Sequence, residues 1–163
     1  MSSLFYFHIS KCSGIISRDV FKIRKLQMKN NQVQEKYNLM VVDGQPEVGG
    51  FLYDFFNNKG YDVVKTASGE TAVQMIRTEK PKILLLDVEL TGKVDGVKVL
   101  QFAKKIIPDA KVIIMTGTTD KKIIEEMFVL GAEECIQKPF SLNYLEQVVM
   151  MKIANLENEK LNI

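Results

Sequence analysis

Residues 83–87 read Ile-Leu-Leu-Leu-Asp. Four apolar residues in succession, ended by a carboxylate, read as a strand covered on both faces, the environment of a parallel sheet. Three further strand-like runs also stop at a polar residue: Leu39–Val42 before Asp43, Lys111–Met115 before Thr116, and Glu134–Gln137 before Lys138. Residues 61–67 alternate and read as a strand nearer an edge. Between these runs lie amphipathic stretches, which place helices at 46–58, 69–79, 96–106, 120–130 and 141–156. Pro46 suits a first helical turn. Ser68, Thr119 or Asp120, and Ser141 are the expected N-caps. Strands alternating with helices give an α/β fold with a parallel sheet.

In an open sheet of this kind ligands bind outside the carboxyl ends of the strands. Asp43, Asp87, Thr116 and Lys138 then share one rim, which holds two carboxylates, a hydroxyl and an ammonium. Any one of them alone reads first as a helix cap. Four chemically complementary terminations together read as a site.

Their order and spacing resemble the response-regulator receiver domain over about residues 38–150. The resemblance rests on Asp43 ending the first strand, the buried run into Asp87, Asp95-Gly96 shortly after, Thr116-Gly117 ending the fourth strand, and Lys138-Pro139-Phe140 ending the fifth. It implies a flavodoxin-like (βα)5 three-layer sandwich with a five-stranded parallel sheet in the order 2-1-3-4-5. It also implies Asp87 as phosphoacceptor, Thr116 as the hydroxyl that binds the phosphoryl group, Lys138 as its ion-pair partner, and a cis Lys138–Pro139 bond. Mg²⁺ would be held by Asp43, Asp87 and the backbone carbonyl of Glu89. The implied partner is a histidine kinase or histidine phosphotransfer protein. Such a chain is a phosphoacceptor signalling domain rather than an enzyme, with self-catalysed phosphoryl transfer and autodephosphorylation at most.

Two positions depart from that pattern. Receivers usually carry a second acidic residue directly after the first; here Gly44 and Gln45 follow Asp43. Cys135 stands where many receivers place a switching Tyr or Phe, and it is expected to be buried. The loop with Thr91-Gly92-Lys93 is one residue longer than the common Pro-containing form, a known variant. Glu89 and Thr118 follow Asp87 and Thr116 by two residues, positions that in receivers resemble dials for phosphoryl lifetime. Gly44 and Cys135 keep an alternative open: a degenerate, unphosphorylated receiver that serves as a protein-interaction module.

Other chemistries fit less well. A haloacid-dehalogenase-type phosphatase needs a second Asp two residues after the first, where this chain has Gln45. Flavin binding of the flavodoxin kind needs a hydroxyl- and glycine-rich phosphate loop, and Gly44-Gln45-Pro46-Glu47 offers one glycine and a repelling carboxylate. A G-x-G-x-x-G fingerprint is absent.

At 163 residues and 46% hydrophobic content the chain can bury an ordinary core. Its net charge of +2 gives no reason to expect direct nucleic-acid contact. Residues 1–36 hold seven Lys/Arg against two Asp/Glu, and the remainder fifteen against eighteen, so the part after 36 is mildly acidic. The domain boundaries expected are a basic, mobile extension at 1–36, a receiver domain at 37–156 and a tail at 157–163. Residues 15–28 could form a basic helix, but membrane contact is not the favoured reading. Leu4–Ile9 is too short to span a bilayer. Cys12 and Cys135 fit neither a zinc spacing nor a disulfide framework, as expected of a reducing cytoplasm. His8, the one histidine, lies in the extension, so the phosphoryl group is expected from another molecule. Neither end reads as an output domain, and the surface near the fourth helix, fifth strand and fifth helix is the expected partner face.

Overall fold

The computed structural model describes residues 38–161. The basic segment 1–36, with the helix expected at 15–28, lies outside the described residues. The described chain alternates strictly: β1 (Asn38–Val42), α1 (Pro46–Asn58), β2 (Asp62–Thr66), α2 (Gly69–Glu79), β3 (Ile83–Asp87), α3 (Gly96–Ile106), β4 (Lys111–Thr116), α4 (Lys121–Val129), β5 (Glu134–Gln137) and α5 (Leu142–Leu161). All pairings are parallel, in the order β2-β1-β3-β4-β5.

Side chains alternate across a strand, so the apolar runs supply two cores at once. Leu39, Val41, Ile83, Leu85, Ile113 and Met115 face Leu52 and Phe56 of α1 and Leu145 and Val149 of α5. Met40, Val42, Leu84, Leu86, Val112 and Ile114 face Ala72 and Ile76 of α2, Leu100 of α3 and Met127 of α4. These strands have no wet face, which is why β3 and β4 are apolar at nearly every position. On edge strand β2 Val63 is the single buried residue, in keeping with its alternating sequence.

The caps follow side-chain chemistry. Ser68 Oγ accepts from the Thr71 amide, Asp95 from Lys98, and Asp120 from Lys122. Asp120 rather than Thr119 therefore starts α4. Ser141 Oγ accepts from the Tyr144 amide at 3.2 Å. β2 begins one residue later than expected, because the Tyr61 amide closes the end of α1 on the Phe56 carbonyl and its ring packs edge-on against Phe56.

The larger difference is at the C-terminus. α5 does not stop at 156 but continues to Leu161, through residues expected to form a tail. Two contacts hold the extra turns: Leu156 is buried in the core, and Lys111 Nζ donates to both oxygens of Glu159, at 2.9 and 3.2 Å. Burial, the largest single effect, lowers the Lys111 ammonium pKa, but Glu159 and Glu133 together outweigh it and hold the group above the ordinary lysine value. Lys111 Nζ lies 3.5 Å from Glu133 Oε1, so one buried ammonium ties the start of β4 to the entrance of β5 and to α5.

Candidate functional site

The register of the sheet brings the strand ends together. Val42 pairs with Leu86, Asp87 with Met115 and Thr116 with Gln137, so Asp43, Asp87, Thr116 and Lys138 come to the same rim. Asp43 and Thr116 are fully buried and Asp87 nearly so. Lys138, at the end of β5, extends its ammonium across the rim to Asp43 Oδ2 at 2.8 Å and to Asp87 Oδ2 at 3.0 Å. Its backbone amide donates to the Thr116 carbonyl at 2.7 Å, and the Lys138–Pro139 bond is cis.

Each carboxylate uses its other oxygen locally. Asp43 Oδ1 accepts from the Gln45 amide and Asp87 Oδ1 from the Glu89 amide, both at 2.9 Å. A carboxylate accepting the amide two residues on is an Asx-type turn, which fixes the side chain against its own loop. Thr116 repeats the device through its hydroxyl oxygen, which accepts from the Thr118 amide at 3.0 Å. No buried side-chain polar atom among the described residues lacks a partner.

Burial alone lowers the Lys138 pKa and is the largest single influence on it. The hydrogen bonds and charges of Asp43 and Asp87 together exceed that penalty, so the ammonium is held above the ordinary lysine value. Two buried carboxylates against one ammonium leave the rim with a net negative charge.

Glu89 takes two directions. Its backbone oxygen lies against Gly44, where a Cβ would come within 3.3 Å of it. Its carboxylate turns the other way and accepts from the Gly117 amide at 3.1 Å, bridging the loops after β3 and β4. That bridge was not legible in the sequence, where Glu89 reads as a candidate dial for phosphoryl lifetime. Cys135 is half-buried rather than buried, because β5 is an edge strand; its side chain packs on the core beneath α2, α3 and α4. Among the described residues, no three His, Cys, Asp or Glu side chains gather as a metal site. A cation here would have two carboxylates and would need backbone, water or substrate oxygens to complete its shell.

The backbone around Asp87 is close-packed. A Cβ on Gly96, the first residue of α3, would lie 2.5 Å from the Asp87 carbonyl oxygen and 2.6 Å from Val88 Cα. The contact is with backbone and cannot be relieved by a side-chain rotation. The Asp95-Gly96 pair therefore combines a cap with a close approach, which explains why the phosphoacceptor candidate is followed by that dipeptide.

Comparison with known proteins gives a consistent assignment. The family model described as the response regulator receiver domain matches residues 39–150. The sporulation initiation phosphotransferase F of Bacillus subtilis is 32% identical over 111 residues, which cover 68% of this chain and 89% of that protein. The probable C4-dicarboxylate response regulator DctR of the same organism is 32% identical over 71% of this chain, but the match spans 52% of its own length. Among solved structures, a CheY-like response regulator receiver domain protein from Methanospirillum hungatei superposes with a TM-score of 0.74 at 23% identity, covering 77% of this chain and 99% of that one. A Burkholderia pseudomallei response regulator, solved with a phosphorylated aspartic acid, calcium ion and citrate, superposes with a TM-score of 0.66 at 20% identity, covering 77% of this chain and 73% of that one. The rim geometry, the strand order and the family match agree, and the chain belongs to the response regulator receiver domain family.

Proposed function

We propose that this domain accepts a phosphoryl group on Asp87 from a phosphohistidine donor, a histidine kinase or a histidine phosphotransfer protein, in a Mg²⁺-dependent two-component phosphorelay. It acts in the cytoplasm as a stand-alone receiver and passes the signal on through protein contacts. The observation that carries this reading is the Lys138 ammonium shared between two buried carboxylates at 2.8 and 3.0 Å.

In the transfer, an Asp87 carboxylate oxygen attacks phosphorus while the P–N bond to the donor imidazole breaks. The electron pair leaves with the imidazole nitrogen, and the phosphoryl group ends as an aspartyl phosphate. Such transfers need charge neutralisation and positioning more than covalent help. Lys138 supplies a fixed positive charge beside the accepting carboxylate, the role a lysine plays toward phosphoryl oxygens. Thr116 Oγ1 accepts from the Thr118 amide, so its hydroxyl proton can be donated to a phosphoryl oxygen. Asp43, Asp87 and the Glu89 carbonyl are an all-oxygen set suited to Mg²⁺, which takes one or two carboxylates and completes its octahedron with water and phosphate. When bound, Mg²⁺ would neutralise the charge that gathers on the phosphoryl oxygens.

The test is intact-protein mass spectrometry after incubation with a small acyl-phosphate donor, with and without Mg²⁺, followed by fragmentation to locate the adduct. A Mg²⁺-dependent adduct on the peptide bearing Asp87 supports the proposal. Gly44 favours a second reading, the unphosphorylated interaction module. Absence of any adduct, where a control receiver is labelled, would select it.

Gly44 also sets a prediction about affinity. Gly44→Asp restores a second carboxylate beside Asp43, and its Cβ needs the Glu89 carbonyl, at 3.3 Å, to give by a few tenths of an ångström. Loss of a supporting outer-shell group changes metal affinity by about 10- to 100-fold, so a directly ligating carboxylate is expected to tighten Mg²⁺ binding by at least about 10-fold. Calorimetric titration of both proteins with Mg²⁺ checks this. Equal affinities would show that the missing acid does not limit the site.

A further inference from the structure

The loop between β3 and α3 supplies the Glu89 amide to Asp87 Oδ1, the Glu89 carbonyl beside Gly44 and the Glu89 carboxylate to Gly117. Its first half therefore forms part of the site's wall. Its second half, which includes the extra residue, is fixed from another element.

Glu70, in the first turn of α2, accepts from the Lys93 amide at 2.9 Å and the Val94 amide at 3.2 Å through Oε1. Its Oε2 accepts from the hydroxyl of the cap residue Ser68 at 3.2 Å. Gly92, at φ +129°, lies flat against this carboxylate, where a Cβ would come within 3.1 Å of Oε1. Beside it Gly69 meets the Val94 carbonyl so closely that a Cβ there would overlap the oxygen. Two consecutive loop amides and a positive-φ glycine thus converge on one carboxylate, and Gly69 seats the Val94 carbonyl beside them without room for a methyl group. Lys98 closes the far side by donating to the Lys93 carbonyl at 2.8 Å.

We infer that Glu70 is a positioning residue for the Asp87 centre: by clamping Lys93 and Val94 it sets where the loop places the Glu89 backbone. The inference rests on the phosphoryl-transfer reading above and extends it to a residue outside the rim. Glu70 touches neither Asp87 nor Asp43; it acts through the loop. Its carboxyl is held below the ordinary carboxylate value, first by its own backbone amide and then by the Lys93 amide, as a carboxylate committed to amide donors should be. Loss of a group that orients metal-binding atoms typically costs about 10- to 100-fold in metal affinity or activity.

The test compares Glu70→Ala, Glu70→Asp and Glu70→Gln with wild type. Glu70→Asp retains the charge and the helix-start chemistry but is one methylene too short for the clamp, so it serves even where Glu70→Ala folds poorly. Measured quantities are the rate of labelling by an acyl-phosphate donor, the dissociation constant for Mg²⁺ alone, and hydrogen exchange at the Lys93 and Val94 amides. Glu70→Asp and Glu70→Ala are expected to exchange faster at both amides, to bind Mg²⁺ about 10-fold more weakly and to label about 10-fold more slowly. Glu70→Gln, which keeps an acceptor oxygen at the same reach, is expected to recover most of the affinity and rate. Faster amide exchange with wild-type Mg²⁺ affinity and labelling overturns the inference and leaves phosphorylation of Asp87 intact. A wild-type protein that neither labels nor binds Mg²⁺ overturns the phosphoryl-transfer reading and, with it, this one.

Discussion

Asp87→Asn is expected to carry no phosphoryl adduct under conditions that label the wild-type chain. The substitution keeps the shape of the side chain and replaces the anionic nucleophile with a neutral amide. The remaining buried carboxylate, Asp43, lies 2.8 Å from Lys138, but it accepts from the Gln45 amide and is placed at the end of the neighbouring strand β1. The exchange leaves Lys138 with one carboxylate instead of two, so the ammonium stays paired and no buried charge is orphaned, the situation that makes a broken ion pair costly. The loss is therefore chemical. Circular dichroism and thermal unfolding should show a folded variant, while mass spectrometry shows the unmodified mass with and without Mg²⁺. An adduct of undiminished yield in Asp87→Asn would place the acceptor elsewhere and remove the basis of the proposed function.

Lys138→Met should have the largest effect on stability. The ammonium lies against two carboxylates, one fully buried and the other with 4% of its side chain exposed. Methionine fills a similar volume and supplies no charge. Removing one partner from a buried ion pair costs about 3 to 5 kcal/mol, because the partners remain desolvated and unpaired. Here the groups left behind are two like charges, so the full range is expected in urea unfolding at neutral pH. The pH dependence has a definite sign. The Lys138 pKa is raised above 10.5 in the folded chain, against the effect of burial, by the bonds and charges of Asp43 and Asp87. A raised pKa gives stability that is fully present below the unfolded lysine value and is lost as pH rises through the folded one. The gap between wild type and Lys138→Met should therefore stay constant across neutral pH and narrow only in the alkaline range above 10.5. A variant as stable as wild type at pH 7 would show that Lys138 positions the rim without holding it together.

Gly96→Ala in the same region would test packing rather than charge, since its Cβ meets the Asp87 carbonyl oxygen at 2.5 Å. Overpacking of this kind costs about 1 to 3 kcal/mol and sometimes more. It is expected to lower the urea midpoint, and a variant with an unchanged midpoint would show that the β3–α3 junction can open without penalty.

Much of this molecule is written locally. Each of β1, β3 and β4 is an apolar run stopped by a polar residue, because a strand covered on both faces tolerates nothing else until it leaves the core. That rule located Asp43, Asp87 and Thr116 without any coordinates. The caps at Ser68 and Ser141 are equally local, since a hydroxyl needs a donor only three residues ahead. The family resemblance, resting on the same residues, supplied the strand order that periodicity does not contain.

What the sequence could not contain was the partner of each long-range polar contact. Glu159 looks like a tail residue until the fold brings it to Lys111, 48 positions away. Glu70 looks like an ordinary acidic first turn until the fold sets the amides of Lys93 and Val94 against it. The carboxylate of Glu89, a candidate dial by its place after Asp87, shows no partner in the sequence until the fold brings the Gly117 amide beside it. Hydrophobic periodicity and capping are short-range and survive in the order of residues, so the sequence determined the α/β class, the elements and the rim. The direction of a charged side chain depends on which loop lies within reach, and the assembled sheet and helices alone decided that.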